Sequence, residues 1–298
     1  MGARVPVIGF ISEKGGVGKT TACYHVAIAL SRYHKKKVLV IDADYQRGGV
    51  TGRFFPNLIE GFRDGTLTDE TLFTKYQQLY SASSVSPGIT VRTYAPDKVD
   101  VIIADKRLAS VTTDKLPSTN NLRENNLSIL AHLKVISDII ADNGLVYDYI
   151  LIDSHPEISD VLRSIIYVSD YCVSPVKLDL QSAIGVPTIV SEIDSVNDDV
   201  HLMKSTIAPQ LAFMPTIFAG AIGMMAREWG GAPKQSEKEE LRRLRSAGTV
   251  FKNYVTEGDG LRRAAQERLP VFDITGQNAI KQSNQLKKLT AELLSKCP

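Results

Sequence analysis

Residues 5–21 read VPVIGFISEKGGVGKTT, and few folds accept such a stretch. Val5 to Ser12 is a short, mostly apolar run of the kind that forms a strand buried on both faces. It leads into Gly15, Gly16 and Gly18, which lack a Cβ and let the backbone wrap closely around a ligand. From Lys19 to about Tyr33 the pattern turns helical, with Ala22, Val26, Ala29 and Leu30 on one face. Lys37 to Asp42, KVLVID, is a second buried strand. Strand, loop, helix and strand in that order make a βαβ unit, whose strands pair in parallel through a right-handed crossover.

The same alternation continues to the C-terminus. Strands are expected at Val99–Ala104, Tyr147–Asp153, Tyr171–Val176, Leu211–Phe218 and Val271–Ile274. Helical periodicity marks pieces of Leu67–Tyr80, then Asn121–Asn143 with Gly144 as its cap, and Ser182–Asp194. Polar helices follow at Ser236–Ser246 and Leu261–Arg268, and a last helix at Asn278–Ser295. Ser86-Pro87-Gly88 signals a turn. The expected fold class is α/β: a doubly wound, mostly parallel sheet flanked by helices, with residues 1–298 forming a single domain. A chain of 298 residues, 43% hydrophobic and 23% charged, can bury such a core. Cys23, Cys172 and Cys297 lie far apart without CxxC spacing, so neither a disulfide framework nor a zinc site is implied, and a reducing cytoplasm fits. The apolar N-terminal run is one strand long and does not read as a signal peptide. No run of 18 apolar residues exists, so no membrane-spanning helix is expected.

The glycine loop, Glu13-Lys14-Gly15-Gly16-Val17-Gly18-Lys19-Thr20-Thr21, fits the second half of the phosphate-binding pattern G-x-x-x-x-G-K-[ST]. Glu13 stands where the first glycine belongs. Backbone N–H groups from Gly15 to Thr21, Val17 included, and the N-terminus of the following helix face negative charge. Lys19 is placed for β and γ phosphates, and the Thr20 hydroxyl for Mg2+. The implied cofactors are ATP and Mg2+. A ligand-free glycine turn is the simpler alternative, but three glycines and a lysine between a buried strand and a helix argue against it. Asp42-Ala43-Asp44-Tyr45-Gln46 closes the second strand, and Tyr147 to Pro156 carries another strand ending at Asp153. Carboxylates at the C-terminal ends of parallel strands stand where such sheets bind ligands.

In its particular form K-G-G-x-G-K-T-T, the loop resembles the deviant Walker A motif of the ParA/MinD family of P-loop ATPases. The resemblance implies that Lys14 crosses a homodimer interface to the phosphates of the partner's nucleotide, much as an arginine finger does. It implies that Asp44 orients the attacking water, that Asp42 supports the magnesium shell, and that Asp153 stands beside the metal as in Walker B. Lys14, Lys19 and Asp44 are then the catalytic set. Tyr45 and His155 replace prolines usual in the family, and His155 reads as a polar loop residue, with a sensor of the nucleotide state as the alternative. Ser174 to Gly185 and Val250 to Leu294 also match the family pattern, with Pro270 as the candidate adenine contact. Thr51–Asn120 matches poorly, and Ala219–Gln235 reads as an insertion.

The resemblance also bears on partners. ParA members bind DNA non-specifically as ATP-bound dimers, and MinD members bind membranes through a C-terminal amphipathic helix. Between Lys234 and Arg268 there are nine basic and six acidic side chains, a net of +3. Arg242, Arg243, Arg245, Lys252, Arg262 and Arg263 are the candidate DNA contacts, able to hold phosphates without reading sequence. A solvated, ion-paired surface is the plainer alternative. The tail QLKKLTAELLSKC aligns Leu286, Leu289, Leu293 and Leu294, a stripe narrow enough to be expected on the sheet rather than on a membrane. The implied protein is a cytoplasmic, nucleoid-associated partition ATPase whose hydrolysis a ParB-like adaptor or cargo protein stimulates. A membrane-positioning ATPase of the MinD kind is the rival. A nitrogenase-type iron protein would need cysteine ligands near the switches, where none stands.

Overall fold

The computed structural model describes residues 4–46, 49–81, 88–142, 147–229, 232–247 and 249–298. Gly144, Ser86 and Pro87, singled out above, lie outside them. The chain runs β1 (Val7–Phe10), α1 (Lys19–His34), β2 (Val38–Ala43), α2 (Thr51–Phe54), α3 (Ile59–Asp64) and α4 (Leu72–Ser81). It continues through β3 (Arg92–Tyr94), β4 (Val99–Ile102), α5 (Leu122–Asp142), β5 (Tyr149–Ser154), α6 (Asp160–Val168), β6 (Tyr171–Lys177) and α7 (Leu180–Thr206). After β7 (Ile217–Met224) come the two-residue strands β8 (Glu228–Trp229) and β9 (Ala232–Pro233), then α8 (Gln235–Ala247), α9 (Asp259–Glu267) and α10 (Gln277–Lys296).

Seven strands form one sheet in the order β3-β4-β2-β5-β1-β6-β7. Every pairing is parallel except the edge hairpin of β3 with β4. Strand residues alternate between the two faces, as the pleat requires. Ile8, Phe10, Val38, Val40 and Leu151 pack toward α1 and α10, where Leu286, Leu289 and Leu293 are fully buried. Val7, Leu39, Ile41, Ile150 and Ile152 pack beneath residues of α4, α5, α6 and α7. Burial on both faces explains why these strands read as unbroken apolar runs. It also places the leucine stripe of α10 in the core.

Three expectations need correction. The late strand is Ile217–Met224 rather than Leu211–Phe218, so part of the supposed insertion is sheet. Its glycines disguise it: a Cβ on Gly220 would lie 2.8 Å from Thr249 O, and one on Gly223 3.1 Å from Tyr254 Cβ. Close approach of a neighbouring chain selects glycine over the usual β-branched residues. Val271–Ile274 is not a strand but a 3-10 turn at Val271–Asp273. Its first N–H is committed to His25 Nε2 (3.1 Å), and Asp273 N–H returns to Pro270 O (3.0 Å). Finally, α7 outruns its expected end by a dozen residues, because Val196 and Val200 keep a buried stripe through an otherwise polar segment.

His25 joins α1 to the C-terminal turn. With Val271 N–H donating to Nε2, the Nδ1–H donates to Thr21 O at 2.7 Å, which fixes a neutral tautomer. Burial pulls its pKa from 6.5 down to about 3, against the opposing pull of the Thr21 carbonyl. Between those values the folded chain binds fewer protons at His25 than the unfolded chain, so stability falls as pH drops below 6.5. His25→Gln does not titrate there. Its stability deficit relative to wild type, read from urea midpoints, is expected to narrow by about 2 kcal/mol between pH 7 and pH 5.

Candidate nucleotide site

The loop from β1 to α1 closes over the C-terminal ends of the central strands. Gly16 and Gly18 take left-handed backbone angles (φ 72° and 99°), which a Cβ would strain. Gly18 leads directly into α1, so the free N–H groups of that helix's first turn open onto the loop's hollow. Lys19 is buried. Its Nζ donates to Ser12 Oγ (3.0 Å) and lies 3.5 Å from Lys14 O, which accepts from Ser12 Oγ at 2.9 Å. Burial lowers the lysine pKa, and the nearby Asp153 and Asp44 pull it back up. Glu13, at the position of the missing glycine, turns toward α7: its Oε2 lies 3.0 Å from where a Cβ on Gly185 would sit. Gly185 is thus the small residue that admits Glu13.

The two buried carboxylates face each other because Asp42 of β2 is in register with Asp153 of β5. Asp42 Oδ2 accepts from both the N–H and the hydroxyl of Thr51 (2.6 Å each), and its Oδ1 accepts Asp44 N–H at 3.0 Å. Burial nonetheless pushes its pKa up to about 7, with those bonds opposing and the Asp44 charge reinforcing. Asp153 is pushed well above the carboxylate range by burial and then by Asp42, with Lys19 and the Thr20 side chain opposing, and among the described residues no close hydrogen bond reaches its oxygens. Gly49 lets the chain pass here, since a Cβ would meet Asp42 Oδ1 at 2.3 Å.

These features fit a hard cation. Magnesium takes one or two carboxylates together with phosphate oxygens and waters, and the bare oxygens of Asp153 near Thr20 and Asp42 supply that kind of donor. Among the described residues no group of three His, Cys, Asp or Glu side chains is spaced to hold a metal by itself.

Asp44 is half-buried, and its Oδ1 meets His155 Nδ1 at 3.1 Å. His155, read above as a polar loop residue, is buried and packs against Tyr45 (ring centroids 3.9 Å apart, planes tilted by 32°). Tyr45 in turn donates to Glu157 Oε2 at 3.1 Å. The two residues that depart from the family's prolines thus touch each other across the site.

The cleft has two compartments. The first, about 710 Å3, is lined by the glycine loop with Lys19, Thr20 and Thr21, and by Asp44, Gln46 and Arg53. The second, about 410 Å3, is walled by Met224, Met225, Thr256–Asp259, Leu261, Arg262 and Gln282. Pro270, the expected adenine contact, is buried and lies outside this lining, as its turn is held against His25. Arg53, Thr51 and Gly49 carried no motif signal and went unnoticed in the sequence.

The six candidate DNA residues separate. Arg242, Arg243 and Arg245 are exposed together on α8, with Arg243 paired to Glu240 at 2.9 Å. Lys252 is exposed on a loop whose backbone is held by Glu292 (2.7 Å). Arg262 lines the second compartment, while Arg263 donates to Thr275 O and pairs with Glu267 (3.3 Å). Helical rotation on α9, unreadable from charge alone, divides these last two from the α8 group.

A seven-stranded, mostly parallel sheet with a glycine-lysine loop at its strand ends is a P-loop NTPase fold. A family model described as AAA domain (AAA_31) matches residues 5–207. The chain is 23% identical over 295 residues to a ParA family protein of Mycoplasma pneumoniae, covering 97% of each. It is 26% identical over 195 residues to the sporulation initiation inhibitor protein Soj of Bacillus subtilis, covering 65% of this chain and 67% of Soj. It spans 64% of the length of a ParA family protein of Chlamydia pneumoniae, at 25% identity over 186 residues that make up 62% of this chain. Among solved structures, the ATP complex of a Cyanothece McdA variant superposes with a TM-score of 0.73 at 17% identity, over 99% of this chain and 98% of that one. A putative plasmid partition protein from Borrelia burgdorferi bound to AMPPNP gives 0.65 at 18%, over 97% and 99%. These two likenesses carry the fold. The chain belongs to the AAA_31 family of AAA domains and is a ParA-family P-loop ATPase.

Asp153→Asn removes a buried carboxylate beside Asp42. In the absence of ligand its thermal midpoint is expected to rise by roughly 2–5 °C, and any further rise that Mg-ATP produces in the wild type is expected to vanish. Differential scanning fluorimetry with and without Mg-ATP reads both effects.

Proposed function

We propose that this protein is a partition-type ATPase that hydrolyses ATP in a magnesium-dependent reaction, with residues 1–298 acting as one unit. The observation that carries the reading is the first compartment. There the glycine loop, Lys19, Thr20 and Asp44 line a space open to a polyphosphate, with the strand-end carboxylates Asp42 and Asp153 fully buried nearby. In this reading Gly15–Thr21 cradle the phosphates and Lys19 neutralises the β and γ oxygens. Thr20, Asp42 and Asp153 hold Mg2+, which when bound draws charge from the phosphates. Asp44, held by His155, orients the attacking water. Solved structures of the same fold are described with an ATP analogue and magnesium or with AMPPNP, which supports the choice of cofactors.

ATP binding drives a sandwich homodimer in which each Lys14 reaches the partner's phosphates. The dimer binds DNA without sequence preference through exposed α8 arginines, and a ParB-like adaptor on the cargo stimulates hydrolysis and release. The working location is the nucleoid within the cytoplasm. Among the described residues no helix is long and apolar enough to cross a membrane, and the burial of Leu286, Leu289 and Leu293 supports a packed α10 over a membrane-binding one.

Lys14→Ala is expected to keep ATP affinity within about threefold while turnover falls at least tenfold, roughly the cost of removing a positive charge from the transition state. Calorimetry and phosphate release measure the two, and unchanged turnover would remove the cross-dimer mechanism. On duplex DNA of random sequence, the triple variant R242A/R243A/R245A is expected to reduce the slope of log affinity against log salt by about 2 to 3, near one per lost phosphate contact. An unaltered slope would move the DNA contacts elsewhere.

A further inference from the structure

Four residues, Gly18, Thr21, Arg53 and Met225, line both compartments of the cleft. Arg53 is the one charged side chain among them. It stands on α2, whose start is tied down: Arg53 N–H donates to Val50 O at 3.0 Å, and Thr51 is bonded twice to Asp42. Four other arginines with part-buried side chains or partners spend their guanidinium groups on carboxylates. Arg32 holds Asp97, Arg92 holds Asp69, Arg107 holds Asp105 and Arg163 holds Glu192, all at 2.6–2.7 Å. Among the described residues no hydrogen bond or ion pair of the Arg53 side chain is recorded, although it is drawn into the wall of the cleft. Burial lowers its pKa below the ordinary arginine value, and only Tyr24 opposes the shift. A desolvated, unmatched cation is costly unless an anion meets it.

We propose that Arg53 is a nucleotide-binding residue whose guanidinium takes the α-phosphate, at the joint between the polyphosphate and the nucleoside. The placement follows from its neighbours. Lys19, Thr20 and Asp44 line only the first compartment, where the terminal phosphates lie, whereas Gly258 and Leu261 line only the second. A guanidinium presents a rigid planar fork of donors that matches a phosphate and is never deprotonated. A contact at the joint engages a group common to ATP and ADP, so Arg53 stabilises both and leaves the chemical step alone. This assignment rests on the ATP reading above.

The test is equilibrium binding of ATP and of ADP, each with magnesium, to the full-length protein carrying Arg53→Ala, Arg53→Gln or Arg53→Lys. Arg53→Gln keeps most of the side chain's length and apolar packing, should truncation to alanine disturb α2. Loss of a charge-assisted contact is expected to weaken both nucleotides by roughly ten- to a hundredfold in the Ala and Gln variants. Arg53→Lys is expected to recover part of that loss, and the turnover number at saturating ATP to stay within about twofold of wild type. Ala and Gln variants that bind both nucleotides as wild type does would overturn the proposal. So would weakening of ATP alone, which would move Arg53 to the γ-phosphate, or a fall in turnover with affinity unchanged. Wild-type protein that binds neither nucleotide would instead overturn the ATP reading, and this assignment with it.

Discussion

The register of β2 on β5 sets Asp42 and Asp153 side by side in the centre of the sheet, and much of the molecule is arranged around that pair. Two carboxylates taken out of water at close range resist ionising together. The chain meets part of the cost itself: Thr51 gives Asp42 two hydrogen bonds, and Gly49 leaves space for its other oxygen. Lys19 brings a positive charge close to Asp153. Asp153 receives less help from the chain than Asp42, since beyond Lys19 and Thr20 little opposes its burial. The depth of the sheet keeps the pair together, because burial on both faces holds the strand ends rigidly where exposed loops would let the carboxylates drift apart.

What could be read from the sequence was whatever local chemistry dictates. Apolar runs buried on both faces announced β1, β2, β5 and β6, and the glycine-lysine loop announced the phosphate site, since few other uses exist for that combination. The leucine stripe of α10 likewise declared its own packing. The rest escaped because the cause lay far away in the chain. The glycines of β7 answer to Thr249 and Tyr254. Val271 was kept from a sheet by His25, 246 positions earlier. Arg53 and Thr51 sit in the stretch with the poorest family match, and only the fold brings α2 to the cleft. Arg262 and Arg263 are adjacent in sequence yet point to different surroundings, which a count of charges cannot reveal.

The substituted prolines tell a related story. Proline at either position would stiffen its own loop through a fixed φ. Tyr45 and His155 instead stiffen the loops through one another, ring against ring, with Asp44 and Glu157 bonded at the margins of the contact. Rigidity that was local becomes shared between segments more than a hundred residues apart.

A shared contact behaves differently from two separate braces when the site changes state. If the segment after β2 shifts, it must either peel Tyr45 from His155 and expose both rings to water, or drag the segment after β5 along with it. The aromatic contact therefore ties the position of each loop to the other.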